Sequence, residues 1–414
     1  MNRIADQSLR RIDEPPVQSS MCQPTRAVAD PAAATGPSLP GGFAGLRIGL
    51  IGPVPPPAGG MANQTRQLGE LLQAVGADVT LVPTNPAYWP TWIGRVPVLR
   101  AGFRLLPYLL AVWRAAGANT LLHMMANSGW SWHLYAMPAL VIGRLRRTPV
   151  VINYRGGEAG DFLVRSARQV RWAMRHAACL AVPSGFLAEV FARFGMNARL
   201  LPNIVDLSRF HPPESLPNAS SHRLVVTRNL EPLYDIGTAI RAFALVRVTY
   251  PDASLTIAGS GPDAAALAQL CRDLHLESAV HWVGRLDRAQ MADLYRNADL
   301  SLNPSRADNM PNSVLESLAS GVPVVSTDVG GVPFLLEHRR TGLLVPPGQP
   351  QAMADAVVEL LGDSTFYCQL QQAGLAEVQR YTWPRVAPVL AAIYRDAQAG
   401  LVSSVCRPVV SENF

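Results

Sequence analysis

Short apolar runs alternate along the chain with longer stretches in which apolar positions return every three or four residues. The runs predict strands at 46–52, 77–83, 120–123, 149–154 and 180–183 in the first half, with helical stretches between them, the first at 62–74. In the second half the alternation restarts. It predicts strands at 224–227, 253–259, 280–284, 300–302, 323–326 and 341–345, and helices at 237–249, 263–274, 289–297, 313–319 and 351–361. Short apolar strands that return after each helix are the signature of a parallel sheet wound by right-handed crossovers. The chain therefore reads as α/β, with two Rossmann-like domains.

A polar, proline-rich break from Pro202 through Pro212, Pro213 and Pro217 to Ser221 separates the halves. It predicts a first domain over 45–212 and a second over 213–380. Residues 1–44 carry Arg3, Arg10 and Arg11 but no apolar core after them, only prolines, serines and an alanine run. They read as a disordered leader rather than a signal peptide. The uncharged stretch from Ala115 to Gly143 is broken by Asn119, Asn127, Gly129, two histidines and Pro138, so it is not read as a membrane span. Two such domains place a ligand in the cleft between them, at the carboxyl ends of both sheets.

Composition sharpens this reading. All 36 basic residues are arginine, and lysine is absent. That excludes a phosphate-binding P-loop lysine, a Schiff base and a kinase-type strand lysine. Phosphate chemistry must rest on arginine, backbone amides and helix ends. The chain is only +6 overall, yet residues 90–180 hold twelve arginines against Glu158 and Asp161. Such a local field predicts an anionic partner. The five cysteines, Cys22, Cys179, Cys271, Cys368 and Cys406, are widely spaced and read as reduced, structural and cytoplasmic.

Candidate chemistry falls on loops between strand and helix. Gly59 and Gly60 follow the first strand, where glycines let backbone amides and a helix end approach an anion. Gly259, Ser260 and Gly261 hold the matching place in the second half; either loop alone could be a simple turn, but two such loops facing one cleft favour phosphate binding. Neither loop has the Gly-x-Gly-x-x-Gly spacing, which disfavours a nicotinamide-dependent oxidoreductase. Asp308 lies in a loop and Glu316 in the helix after it, with seven residues between. Carboxylates accept from vicinal hydroxyls, so the pair can serve a sugar hydroxyl and a ribose diol, with the amides of Asn309 and Met310 facing the cleft. On spacing alone they read equally as a solvated loop acid and a helix-capping acid.

These residues carry a resemblance. From 225 to 361 the chain resembles the donor-binding domain of family 4 of the retaining glycosyltransferases, the group 1 enzymes of GT-B fold. The matching pieces are the strand ending in Arg228, the Gly259–Pro262 loop, Val283–Arg285, the acid-x7-glutamate segment, Gly330–Pro333 and Gly342–Pro346. Pro202–Asp206 with Phe210 and Pro212 is similar to the interdomain signature, and Tyr381–Trp383 leads a segment, 381–414, that would form the crossover helix and tail. The resemblance implies a retaining glycosyltransferase, of the hexosyltransferase class, that moves a sugar from a nucleotide-sugar donor to an acceptor hydroxyl in polysaccharide or glycolipid synthesis. It implies no metal and no cofactor beyond that co-substrate. Arg228 would neutralise the diphosphate, Glu316 hold the ribose and Asp308 contact the transferred sugar. Asn309, Met310 and Pro311 would line the sugar pocket, Arg285 would lie near the base, and Gly59 and Gly60 would approach the diphosphate.

The chain departs from the family pattern in places. A lysine usually follows the arginine within a few residues; here Asn229–Asp235 supplies none. Arg155, where a histidine is common, is the candidate second cation. His123 keeps the first of two family histidine places and Met125 takes the second, so His123 reads either as a strand-end structural residue or as a catalyst, with His133 as its substitute. These departures motivate an alternative, a catalytically impaired scaffold that binds sugar nucleotides. Aromatic and cationic residues mix from Trp92 through Arg95, Arg100, Phe103, Arg104, Tyr108 and Trp113 to Arg114, and Arg165, Arg168, Arg171 and Arg175 form one helical stripe. The pattern suits an anionic membrane surface and a lipid-linked acceptor, with the protein peripheral on the inner face. It contains no nucleic-acid-reading module.

Overall fold

The computed structural model describes residues 42–56, 59–86, 97–213 and 222–400, and of residues 97–103 the backbone alone. The expected leader as far as 41, part of the linker, Cys22, Cys406, and the side chains of Trp92, Arg95, Arg100 and Phe103 lie outside the described residues.

The first domain carries six parallel strands: β1 (Arg47–Gly52), β2 (Asp78–Pro83), β3 (Leu121–Ala126), β4 (Val150–Tyr154), β5 (Cys179–Val182) and the two-residue β6 (Arg199–Leu200). Their order is β2-β1-β3-β4-β5-β6. The second domain repeats the plan with β7 (Arg223–Val226), β8 (Ser254–Ala258), β9 (Val280–Gly284), β10 (Leu300–Asn303), β11 (Val324–Thr327) and β12 (Leu343–Val345), ordered β12-β11-β10-β7-β8-β9 and parallel throughout. The central strands β3, β4, β10 and β11 are buried along their whole length, as a sheet covered on both faces requires. The order reverses beside β1 and beside β7, and residues that follow the strands at both reversals line one cleft.

The helices are α1 (Gly60–Ala74), α2 (Pro97–Ala118), α3 (Met137–Arg146), α4 (Ala159–Met174), α5 (Gly185–Arg193), α6 (Ile236–Thr249), α7 (Ala264–Asp273), α8 (Arg288–Arg296), α9 (Asn312–Ala319), α10 (Pro350–Gly362), α11 (Ser364–Val378) and α12 (Trp383–Gln398). Leu68 and Leu72 of α1 share one face of the first sheet with Val386, Leu390, Ile393 and Tyr394 of α12. Val112, Leu140, Leu163 and Val190, from α2 to α5, cover the other. The crossover helix thus completes the core of the first domain.

The chain crosses between domains twice, side by side: Val205 donates its amide to the Tyr381 carbonyl at 2.9 Å. Val205 and Phe210, counted with the first half on sequence, bury their side chains in the core of the second. The ordered fold also begins before residue 45. Phe43 is 1% exposed, stacked on Trp383 at 5.8 Å and edge-on to Tyr394 at 6.0 Å. Among the described residues no helix is long and apolar enough to cross a membrane.

Candidate active site

A cleft of about 620 Å³ opens where the strand ends of the two sheets meet. Its second-domain wall is built from Thr227 and Arg228 after β7, the loop Ala307–Pro311 after β10, and Asn312, Ser313 and Glu316 on α9. Glycines set this wall from behind. A Cβ on Gly330 would sit 2.1 Å from the Asp308 carbonyl oxygen, and one on Gly331 would sit 1.9 Å from that of Asn309. Gly259 and Gly261 do the same for the Arg228 segment, where Cβ atoms would fall 2.0 Å from the Arg228 carbonyl oxygen and 2.1 Å from that of Leu230. Gly259, Ser260 and Gly261, expected at the donor, are not among the residues lining the cleft; their backbones bed the segment that carries Arg228. Arg285 lies with them at the exposed edge, its Nε donating to Ser260 Oγ at 2.6 Å.

Arg228 and Asp308 are ion-paired, with side chains only 11% and 12% exposed. The guanidinium lies 4.2 Å from the Tyr234 ring centroid, and Nη1 donates to Ser313 Oγ at 3.2 Å. Nε is buried and has no hydrogen-bond partner among the described residues. Tyr234 therefore stands in the segment where the family's lysine was expected, holding Arg228 by its ring face rather than adding charge. Asp308 also accepts from Ser305 Oγ at 3.3 Å and from the Asn309 amide at 2.9 Å, so that amide is turned to its neighbour's carboxylate.

Glu316 is half-buried on α9, and burial pushes its carboxyl up to about 7 against the opposing pull of Arg288 and Arg228. Arg288, which the sequence reading passed over, lines the cleft at the first position of α8, and its Nη2 donates across to the Asn63 carbonyl on α1 at 2.9 Å. Burial holds its guanidinium below the usual range, with Arg66 adding to the effect. The described lining holds four arginines: Arg155, Arg209, Arg228 and Arg288.

The first-domain wall comprises Gly60, Asn63, Gln64 and Gln67 of α1, the turn Asn127–Gly129 after β3, and Arg155–Glu158 after β4. No atom would lie within 4 Å of a Cβ on Gly59 or Gly60, so the start of α1 is open to a close approach. Arg155 is in the wall, but its guanidinium is anchored. Nε donates to Asn153 Oδ1 at 2.8 Å, and Nη1 donates to Gln64 Oε1 at 3.1 Å and to Asn203 Oδ1. Burial lowers it to about 9.

His123 is not at the cleft. It is completely buried in β3, between Tyr394 Oη, 2.8 Å from Nδ1, and Asn153 Nδ2, 3.1 Å from Nε2. Because Asn153 Oδ1 accepts from Arg155, its amide donates to Nε2, which places the imidazole proton on Nδ1. Burial, then the charge of Arg155, lowers its pKa to about 3, so the ring is neutral. The catalytic reading of His123 is thus corrected to a structural one. His133 does not take its place: it packs against Trp130 and Phe162 and is not among the lining residues.

First-domain and linker groups hold the loop after β10 and the start of α9 in place. Ser184 Oγ donates to Asn309 Oδ1, and Asn203 Nδ2 donates to the Met310 carbonyl at 2.7 Å and to Asn312 Oδ1 at 2.8 Å. Gln64 Nε2 reaches the same Asn312 oxygen at 2.8 Å. Asn203 and Asn312 stood inside recognised segments without a role; Ser184 and Gln64 gave no signal in the sequence.

A cleft between two parallel sheets, walled at one switch point by an arginine and two carboxylates, is the arrangement of a GT-B glycosyltransferase. Two family models match: a glycosyl transferase 4-like domain over residues 59–203 and glycosyl transferases group 1 over residues 221–363. The chain belongs to this family of glycosyltransferases. Among curated relatives it is 26% identical over 399 residues to the glycogen synthase of Mycobacterium tuberculosis, covering 86% of this chain and 96% of that one. It is also 26% identical to the phosphatidyl-myo-inositol mannosyltransferase of Mycobacterium leprae, covering 84% and 96%. In fold it resembles the sucrose-phosphate synthase of Thermosynechococcus elongatus, with TM-score 0.69 and 22% identity over 84% of this chain and 98% of that one. It also resembles Anabaena HepE in complex with UDP and glucose, with TM-score 0.65 and 18% identity over the same shares.

Proposed function

We propose that this enzyme transfers a hexosyl group from a nucleotide-sugar donor to an acceptor hydroxyl, with retention of anomeric configuration, in polysaccharide or glycolipid synthesis. The observation that carries this reading is Arg228, fixed in the cleft wall by Asp308, Ser313 and the Tyr234 ring. As the bond to the leaving diphosphate breaks, negative charge grows on its oxygens, and a fixed arginine in a partly dry cleft stabilises it without reorganising. Arg288 supplies the second positive charge that the absent lysine would have given. The open start of α1 at Gly59 and Gly60 lets the diphosphate lie against backbone amides. Glu316 takes the ribose diol, while Asp308, Asn309, Met310 and Pro311 surround the transferred sugar. The printed description of HepE, bound to UDP and glucose, supports trying a uridine donor first.

The first domain also presents an apolar trough between α2, α3 and α4, lined by Leu109, Leu110, Trp113, Pro138, Val141 and Trp172 among others. Exposed arginines flank it on α3 and α4, and Arg146 stacks on Trp113 at 4.9 Å. We propose that this face meets an anionic membrane, which suits a lipid-linked acceptor. The reaction is tested by incubating the enzyme with UDP- and GDP-sugars and free or lipid-linked acceptors, reading products by mass spectrometry and anomeric configuration by NMR. Nucleotide binding without transfer to any acceptor would favour the impaired scaffold.

A further inference from the structure

We propose that Arg155 is a positioning residue: through Gln64 and Asn203 it fixes Asn312, and with it the start of α9 that carries Ser313 and Glu316 into the donor wall. The proposal rests on the donor reading above, which gives that wall to the nucleotide.

Side chains from α1, the loop after β4, the linker and α9 form a closed set. Nη1 of Arg155 has two hydrogens, and they go to Gln64 Oε1 at 3.1 Å and to Asn203 Oδ1. The nitrogens of those same two carboxamides, Gln64 Nε2 and Asn203 Nδ2, both donate to Asn312 Oδ1, each at 2.8 Å. A carbonyl oxygen carries two lone pairs, so this pair of donors fills it. A guanidinium can only donate, so it turns both carboxamide oxygens toward itself and both nitrogens away. Were either carboxamide reversed, its nitrogen would face the guanidinium and its oxygen would face the Asn312 oxygen. Arg155 thus sets, from the first domain, the donors that hold α9. Its own place is fixed through Nε, which donates to Asn153 Oδ1 on β4 at 2.8 Å.

What hangs on Asn312 is the second-domain wall of the cleft. Asn312 is the first residue of α9; Ser313, next to it, accepts from Arg228 Nη1 at 3.2 Å, and Glu316 follows one turn on. The residue at the cap of this helix is Pro311, which makes no side-chain cap, so the helix start takes its anchorage from outside. Asn203 adds a second tie, to the Met310 carbonyl at 2.7 Å, in the loop that leads into the helix. With Nε and both Nη1 hydrogens committed to carboxamides, Arg155 is built as a bracket between the two walls, and a direct role as phosphate cation becomes the competing outcome of the test.

The test measures kcat/KM with the accepted nucleotide sugar, and calorimetric Kd for the nucleoside mono- and diphosphate, each well below the variant's melting temperature. Arg155→Met removes a charge and Asn312→Ala only an amide, yet each should lower kcat/KM about tenfold or more, and the double variant should lose little beyond either alone. Arg155→Lys should do no better than methionine, because an ammonium keeps the charge but not the planar fork. The ratio of diphosphate to monophosphate affinity should stay within about threefold of wild type throughout, since no phosphate contact is removed. Should Arg155→Met not fold, Gln64→Leu with Asn312→Ala runs the same cycle. Unchanged kcat/KM, losses that multiply in the double variant, or a diphosphate that weakens against the monophosphate in Arg155→Met and recovers in Arg155→Lys would each overturn the proposal, the last in favour of a phosphate cation. Failure of the wild type to bind either nucleotide would instead overturn the donor reading. Solution scattering would then decide the positioning: Arg155→Met and Asn312→Ala should enlarge the radius of gyration and Asn312→Asp, which keeps the accepting oxygen, should not, whereas unchanged radii in all three would overturn it.

Discussion

Arg228, just after β7, is ion-paired with Asp308, in the loop after β10, so two cleft-lining charges from different loops are held by each other. Removing either leaves a mostly buried charge alone, at a cost on the order of 3 kcal/mol. Arg228→Ala and Asp308→Asn should each lower the melting temperature, and the double variant should be less destabilised than their sum. Calorimetric unfolding of the four proteins checks this; strictly additive losses would show that the pair contributes no coupling.

Glu316 should make nucleotide affinity depend on pH. Burial raises its pKa from 4.5 to about 7, so near neutrality the group is only partly ionised. A ribose diol donates hydrogen bonds and favours the carboxylate, so affinity should strengthen as pH rises through 7. In stability the sign is opposite: the folded state holds this proton more tightly, so the group's contribution falls as pH rises from 4.5 to 7. Titration calorimetry of wild type and Glu316→Gln should show the affinity slope in the first and its loss in the second.

The imidazole of His123 should matter for stability and not for chemistry. His123→Ala would orphan the Tyr394 hydroxyl and the Asn153 amide in the core, at about 1–3 kcal/mol for each group. The melting temperature should fall clearly, while kcat measured well below it stays within a few-fold of wild type. A loss of kcat at full stability would restore the catalytic reading.

The alternation of strand and helix made both sheets and the strand ends that carry the site legible in the sequence. Two apolar faces were needed for each buried strand, and these sequences supply them. The two-residue β6 is too short to alternate, and α11, with apolar and glutamine positions scattered around it, gave no periodic signal. Asp308 and Glu316 were legible because their spacing stands in a local motif, and Arg228 because it directly follows a strand. Arg288, Asn203 and Gln64 were not, since each acts across the domain boundary. His123 was not placed by the sequence, because a strand end does not tell which face a side chain takes and Tyr394 buries this one; Arg155 does line the cleft, with its guanidinium tied to Asn153, Gln64 and Asn203.

Membrane association should depend on the trough. Sedimentation with liposomes should show binding to anionic vesicles and not to neutral ones, weakened by Trp113→Ala with Trp172→Ala and by added salt. Equal failure to sediment with either vesicle would remove the membrane from the account.

The central claim, that Arg228 stabilises the departing diphosphate, is tested most directly by the turnover of Arg228→Ala and Arg228→Lys against wild type, using the accepted nucleotide sugar. The alanine variant should lose about two to three orders of magnitude in kcat, and lysine should restore only part of it because a point charge does not reproduce the fork. Unchanged kcat in Arg228→Ala would contradict the claim.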